Sequence, residues 1–389
     1  MQIPDETLQE IIEGQTRILV PKKSIIDKVP PKEPAFFNPK ARVSRDYSII
    51  AYGSFMRRII GPRIFLEGLS GVGARGLRVA KELQFDKVII NDLNPNALKM
   101  AEYSSHLNNL KNVEYSEMEV CRFLSKYSKK GERGSIVDID PFGSPAQFFD
   151  CGIRATVHGG MFSATATDLQ VLNGLYQNAC KRKYGGIPLR VEYGNEMAIR
   201  LVLGSLGLVA GRIGVEIVPL FAESNMHYYR IYVRILIRHN QNENIGYILH
   251  CKNCGHRKIA LEQDMECELC RLKISVAGPL WIGKIFDKEF VEGMILQTSD
   301  LMVDKLCKKT LQKCLVESNM NGTYFTLDEI ASKMKSSPPK LEDAIKNLQN
   351  NGYFATPTAF CSTGFRTNAN INEIISVFKL AGKSQTNIV

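Results

Sequence analysis

Nowhere does this chain run apolar for the roughly 18 residues that a membrane span demands, so no bilayer-crossing helix is expected. The amino end, Met1 to Gln15, is acidic and lacks the apolar centre of a signal peptide, which argues against export. Internal repeats and low-complexity tracts are absent too, which excludes a repeat array or a compositionally biased tail. Nor do the 10 cysteines read as a disulfide framework: four fall in paired Cys-x-x-Cys spacing, which suits a reducing compartment, and the expected location is cytoplasmic. Acidic residues are the scarcer charge, 40 against 50 Lys/Arg, for a net charge of +10. Through residue 240 the balance is 32 basic to 24 acidic, and beyond it 18 to 16. Basic groups in the first part include Arg57-Arg58, Arg75, Arg78, Lys129-Lys130 and Lys181-Arg182-Lys183. A polyanionic partner fits this excess, and so does a merely solvated basic surface.

What is present is an ordinary globular composition, 44% hydrophobic and 23% charged, over 389 residues, enough for two or three domains. Residues 1–60 read as an irregular lead-in, because prolines at 21, 30, 31, 34 and 39 interrupt regular elements. An α/β alternation follows, with strands at Arg63–Glu67, Lys87–Ile90, Val113–Met118, Ser135–Ile139 and Gly160–Thr165. Helices are predicted at Arg75–Leu83, from Asn94-Pro95 to about Asn108, and at Ile199–Val209. Glu216–Phe221 and Tyr228–Arg238 alternate as two late strands. Strands separated by helices imply a mostly parallel sheet. The polar stretch His239–Asn244 suggests a boundary, giving a domain of residues 1–240 and a carboxyl-terminal part of 241–389. In the latter, a cysteine-bearing module spans about 247–280. A helical region covers Asp287–Glu317, and Thr326 and Glu329 have capping-box spacing. A helix at Leu341–Asn350 and a β-like end at Tyr353–Phe360 complete a winged-helix-like unit over about 300–389.

The most specific stretch is Asp138-Ile139-Asp140-Pro141-Phe142-Gly143, at the carboxyl end of a buried strand, where open α/β sheets bind ligands. Asp140 can accept an N–H, the Pro141 carbonyl a second, and Phe142 can stack, which suits a planar heterocycle bearing an exocyclic amine. Asp-Pro-aromatic at this place is typical of methyltransferases acting on nucleobase amino groups. Gly71-Val72-Gly73-Ala74-Arg75-Gly76 follows a strand and opens a helix, and Asp92 ends the next strand, placed for ribose hydroxyls. A dinucleotide and S-adenosylmethionine both fit. Glu67 at the strand end suits a cationic sulfonium and would repel a pyrophosphate, and no second nucleotide-binding half is present. Taken alone, such a loop is also compatible with a tight turn that binds nothing. Cys251-x-x-Cys254 and Cys267-x-x-Cys270, 12 residues apart, offer four thiolates for a structural Zn2+. Cys121, Cys151, Cys180, Cys307, Cys314 and Cys361 read as buried apolar residues. The Lys305, Lys308, Lys309, Lys313 run fits either a nucleic-acid contact or a solvated face.

On these motifs the chain resembles the tRNA (guanine-26)-N(2)-dimethyltransferase family over nearly its whole length. Further matching stretches are Phe36–Pro39, Ser44–Asp46, Ser144-Pro145, Thr165–Asp168, Lys183–Gly185, Glu196 with Arg200, His227–Arg230 and Thr363–Thr367. Departures are Glu119-Val120 where the family has Asp-Ala, and Asn195, Met226 and Ala359 where it has His, Asp and His. The resemblance implies a Rossmann-like class I methyltransferase sheet and transfer of two methyls from S-adenosylmethionine to the amine of guanine 26 in tRNA. It implies that Arg45, Arg75, Asp92, Glu119 and Val120 hold the cofactor and that Asp140, Pro141 and Phe142 serve the target base. It also implies a carboxyl-terminal part that grips tRNA and a zinc outside the chemistry. Rival readings keep the fold for another nucleobase in rRNA or DNA, take the loop as that of an NAD-dependent oxidoreductase, or leave a non-catalytic RNA-binding protein.

Overall fold

The computed structural model describes residues 7–237, 244–320 and 322–386. The expected irregular lead-in is in fact structured. Strands β1 (Leu8–Glu13) and β2 (Thr16–Pro21) form an antiparallel hairpin, followed by the single turn α1 (Lys23–Ile26). Pro21 closes β2, and the other four prolines occupy the connection that leads to α2 (Arg42–Phe55), a helix buried from Ser44 to Phe55. Sequence reading missed α2 because it has no polar face. Two of its three charges are buried in pairs instead: Arg45 with Glu13 of the hairpin, and Asp46 with Arg78.

The alternation that follows closely matches expectation: β3 (Ile64–Glu67), α3 (Ala74–Glu82), β4 (Lys87–Asn91), α4 (Pro95–Leu107), β5 (Val113–Ser116), α5 (Val120–Lys126), β6 (Gly134–Ile139), α6 (Phe149–Ala155) and β7 (Thr156–Ala166). After α7 (Leu169–Leu172), α8 (Gln177–Tyr184) and α9 (Gly194–Arg212) come β8 (Val215–Asn225) and β9 (Tyr228–Ile237). The seven strands lie in the order β5-β4-β3-β6-β7-β9-β8; the first five are parallel, and β9 and β8 run antiparallel. Apolar runs such as Ser135–Ile139 are buried on both faces, as parallel strands under helices require. Asn94 caps α4 through its side chain, with Pro95 in the first turn. The chain leaves β3 for β4 and β5 on one side and returns to β6 on the other. The crevice of a doubly wound sheet therefore opens between β3 and β6.

The boundary stretch expected at 239–244 lies, but for Asn244, outside the described residues. Beyond it, β10 (Ile245–His250), β11 (Arg257–Ala260) and β12 (Ser275–Trp281) form a three-stranded sheet. The helical region expected at 287–317 is two helices, α10 (Lys288–Gln297) and α11 (Lys305–Glu317), because Asp287 and Asp304 each cap a new start. Then come β13 (Phe325–Thr326), α12 (Leu327–Met334), α13 (Leu341–Asn350), β14 (Ala355–Pro357), β15 (Gly364–Thr367) and α14 (Ile371–Thr386), the last unforeseen. Thr326 caps α12 through the Glu329 amide at 3.2 Å, but the Glu329 carboxylate turns to Arg257 (2.9 Å), so the capping box is only half formed.

One hydrophobic core crosses from the seven-stranded sheet into the carboxyl-terminal part, taking in Trp281, Phe286, Phe290, Met294, Leu311 and Cys314; a second core gathers Phe325 to Phe378. Buried charges stitch the same junction. Glu196 of α9 accepts from Arg200 (2.9 Å) and from Arg366 of β15 (2.9 Å), and Arg366 also reaches Glu317 of α11. A chain cut after residue 240 would expose this apolar face and leave Glu196 short of a partner. It is expected to be insoluble, or to show no cooperative melting transition; a soluble fragment with native-like melting would show that the sheet closes its core alone.

Candidate active site

Glu67 of β3 stands beside Asp138 of β6 in parallel register, and the loops leaving these ends are drawn together by backbone contacts. Gly68 donates its N–H to the Asp138 carbonyl at 2.9 Å. A side chain at Gly68 has no room: its Cβ would lie 2.6 Å from Val120 Cγ2 and 2.7 Å from Ile139 Cδ1. The buried Asn91 amide donates to the carbonyls of Gly68 and Met118, both at 2.9 Å. The ends of β3, β4, β5 and β6 thus form one rim.

The anticipated cofactor residues are distributed around and beneath this rim. Asp92, half-buried, accepts the amides of Gly71 (2.7 Å) and Asn94 (2.9 Å) and so fixes the glycine turn. Gly71 has φ +53°, and a Cβ there would meet the Phe36 carbonyl at 2.7 Å; the close approach it permits is that of the chain at 34–37. The exposed Glu119 caps α5, both oxygens taken by the amides of Cys121 (3.0 Å) and Arg122 (2.9 Å), while Val120 is buried against Gly68. Glu67, only 2% exposed, sits beneath the turn and accepts from the Gly76 amide at 3.1 Å. Burial pushes its carboxyl up to about 8, against the opposing pull of Arg75. Arg45 spends its donors on Glu13 (2.7 and 2.6 Å) and the Asn38 carbonyl (3.1 Å), with its guanidinium over the Phe37 ring. It fastens the hairpin and the proline segment to α2.

Arg75 bridges two carboxylates, Asp138 at 2.9 Å and Asp140 at 2.6 Å. Asp138 is fully buried, and its other oxygen takes Arg230 at 2.6 Å and the Ser163 hydroxyl at 3.0 Å. Arg230 also donates to the hydroxyls of Tyr52 (2.8 Å), Tyr232 (2.9 Å) and Thr165. Asp140 stands at the mouth with its side chain 30% exposed. Burial alone would raise its pKa, but Arg75 and Arg230 outweigh that and hold it below the usual carboxylate value, so it is ionised at neutral pH. Sequence reading placed Arg230 only within a matching stretch. Its position in an alternating strand, a charge where an apolar residue should face inward, was the available signal for a buried partner.

Beyond Asp140 the chain presents a buried proline and an exposed ring. Phe142, 62% exposed, meets Phe36 edge-on (4.7 Å between centroids, 78°), with Lys32 Nζ 5.1 Å from its ring centre. Gly143 donates to Thr167 Oγ1 at 2.6 Å and accepts the Thr167 N–H at 2.8 Å, so the loop is tied to the end of β7. Asn94 donates to the Pro34 carbonyl at 2.8 Å, which lays the 34–36 segment across the glycine turn.

The Sγ atoms of Cys251, Cys254, Cys267 and Cys270 all lie within 4.8 Å of one another. Both knuckles close through amides, Gly255 N–H to the Cys251 carbonyl and Arg271 N–H to the Cys267 carbonyl, each at 2.8 Å. The set can hold one tetrahedral ion. Cys121 and Cys151, expected as separate buried thiols, are instead joined by a disulfide between α5 and α6, with 5.5 Å between Cα atoms. The packing of these two helices brings together residues 30 apart in sequence, which spacing alone could not reveal.

The family described as N2,N2-dimethylguanosine tRNA methyltransferase matches residues 14–379. A tRNA (guanine(26)-N(2))-dimethyltransferase of Methanosphaera stadtmanae is 34% identical over 378 residues, covering 94% of this chain and 95% of that one. Another, from Methanothermobacter thermautotrophicus, is 33% identical over 380 residues, covering 95% and 98%. Among solved structures, Trm1 from Pyrococcus horikoshii in complex with S-adenosyl-L-methionine superposes with a TM-score of 0.81 at 27% identity, over 95% of this chain and 99% of that one.

Glu67 yields a pH-dependent expectation. Its folded pKa of about 8 lies above its unfolded value, so the protonated group stabilises the fold at acid pH and that contribution is lost as pH rises towards 8. Glu67→Gln keeps an acceptor for Gly76 without the charge. In urea denaturation its stability relative to the parent should improve between about pH 5 and about pH 8; a constant difference would mean that Glu67 is ionised in the native protein.

Proposed function

The chain belongs to the N2,N2-dimethylguanosine tRNA methyltransferase family, and from that membership we infer that it is an enzyme that methylates the exocyclic amine of guanosine 26 in tRNA, first to the monomethyl and then to the dimethyl product. The observation that carries this reading is the ionised Asp140, fixed by Arg75 at the mouth of the β3–β6 crevice beside the exposed Phe142 ring. When bound, S-adenosylmethionine supplies an electrophilic methyl on a sulfonium. Asp92 and Gly71 would hold it on one side and Glu119 and Val120 on the other, around the rim where Gly68 leaves space for no side chain of its own. Arg45, Arg75 and Glu67 support that rim from behind.

The guanine amine is a weak nucleophile because its lone pair is delocalised into the ring. Asp140 accepts one of its N–H groups and stabilises the positive charge that grows on nitrogen. The Pro141 carbonyl accepts the other N–H in the first transfer. After that transfer, with one proton released through Asp140, the N–H that remains is the one that was on Pro141, and the amine turns to place it on Asp140 for the second. Phe142, braced by Phe36, stacks on the base, which must leave its own stack at a cost of a few kcal/mol. Asp140 is too weak a base to keep the proton released, and its exposed edge passes it to water. Holding the amine in line with the methyl supplies much of the rate.

We read the four cysteines as a structural Zn2+ site, since four thiolates leave no open position. We read α12, α13 and the β14–β15 hairpin as a winged-helix-like unit that holds the body of the tRNA, because shape recognition of a single guanosine takes more surface than one loop offers. Among the described residues no helix is long and apolar enough to cross a membrane, and we place the enzyme in the cytoplasm with its substrate.

Two measurements test this reading. Asp140→Asn and Asp140→Ala should each lower turnover on unmodified tRNA by about 100-fold or more with tRNA binding retained, as nucleoside analysis of N2-methyl- and N2,N2-dimethylguanosine would record. Near-normal turnover removes Asp140 from the chemistry. Protein prepared under reducing conditions should carry about one zinc per chain by atomic emission, lost in Cys254→Ser/Cys270→Ser. A full metal complement in that double variant would place the ion elsewhere.

A further inference from the structure

The Lys181-Arg182-Lys183 cluster has no part in the chemistry above, yet the fold brings it to the base-binding loop. It ends α8, whose last residue, the buried Tyr184, donates its hydroxyl to Asp168 Oδ1 at 2.6 Å. Lys183 Nζ donates to Asp168 Oδ2 at 2.9 Å. Asp168 directly follows Thr167, the residue whose hydroxyl and amide clamp Gly143 of the Asp-Pro-Phe-Gly loop. Helix α8 also packs on the turn Ala146–Phe148 that continues that loop. Lys181 and Arg182 are exposed and form no ion pair among the described residues, and Tyr176, which leads into the helix, is 53% exposed.

The usual account of such a run is a favourable interaction with the helix C-terminal dipole, which would explain basic residues there. It does not explain why the same helix end is fastened, through Asp168 and Thr167, to the loop that holds the target base, nor why an aromatic ring is left in solvent at the other end of the helix. Two unpaired cations and a half-exposed aromatic residue, on a helix tied to the Asp-Pro-Phe-Gly loop, match what an RNA strand presents: phosphates at regular spacing and, between them, a base face.

We propose that α8 is the RNA-gripping ridge of the catalytic part, with Lys181 and Arg182 on the phosphates flanking the target guanosine, Tyr176 against a neighbouring base, and Asp168 as the positioning residue that ties this grip to the base-binding loop. The proposal rests on the tRNA methyltransferase reading and extends it: strand contact is made by the sheet domain itself as well as by the carboxyl-terminal part. Drawing the flanking phosphates onto α8 holds the extruded guanosine over Phe142 while Asp140 engages its amine.

The test uses the full-length protein and an unmodified tRNA transcript containing the target guanosine. Binding and steady-state methylation are measured between about 50 and 200 mM salt. Lys181→Glu/Arg182→Glu should raise KM for tRNA by about 10-fold or more and reduce the slope of log affinity against log salt by about 1 to 2, with the affinity for S-adenosylmethionine held. Lys181→Gln/Arg182→Gln, which avoids placing acid at a helix C-terminus, should show the same changes at smaller size. Asp168→Asn should lower kcat more than it raises KM, since it loosens the loop without removing a phosphate contact. If both double variants keep the parent's KM and salt slope while the parent makes dimethylguanosine, the ridge is overturned and the enzymatic reading stands. If the parent makes no methylated guanosine, the enzymatic reading falls and the ridge with it.

Discussion

A single buried carboxylate holds the architecture of the site together. Asp138 lies at the end of a central strand, wholly removed from water, and is neutralised by Arg75 from the helix after the glycine turn and Arg230 from an antiparallel strand two positions away. An unpaired charge in that position would be severely destabilising. The three elements are therefore held in one arrangement, and Asp140, two residues along, is held with them by the second arm of Arg75. Asp140 is thus placed by the core, while one edge of its carboxylate stays exposed.

Much of this organisation was legible in the sequence because it is local. The strand-glycine turn-helix unit, Asn94-Pro95 as a helix start, the Asp-Pro-Phe-Gly loop and the paired cysteine knuckles each declare themselves within a few residues. What escaped was non-local. Helix α2 carries Arg45 and Asp46 where an amphipathic pattern would have apolar residues, and only Glu13 and Arg78, distant in sequence, make their burial tolerable. The intramolecular contacts of Glu119 and Arg45 were hidden for the same reason: the first caps a helix and the second binds a neighbouring carboxylate, contacts that depend on where other segments pass. The Cys121–Cys151 bond and the polar junction of Glu196, Arg366 and Glu317 also require the tertiary fold before they can be seen.

The junction bears on how the two halves act. Because the hydrophobic core passes uninterrupted through Trp281 and Phe286, the carboxyl-terminal part does not hang from the sheet domain on a linker. Its orientation relative to the sheet domain is set by close-packed contacts and buried ion pairs. A ligand that spanned both halves would meet one preformed surface, so less binding free energy would go into arranging the protein around it.

The rim carries a constraint of its own. Val120 and Ile139 both reach the place where a Cβ on Gly68 would lie, at 2.6 and 2.7 Å from it. A bulkier residue at 68, or a longer one at 120, requires a neighbouring side chain to shift or shrink. Substitutions at these three positions are therefore expected to be coupled rather than additive, so an exchange at 68 made alone understates what the position tolerates once Val120 or Ile139 is trimmed as well.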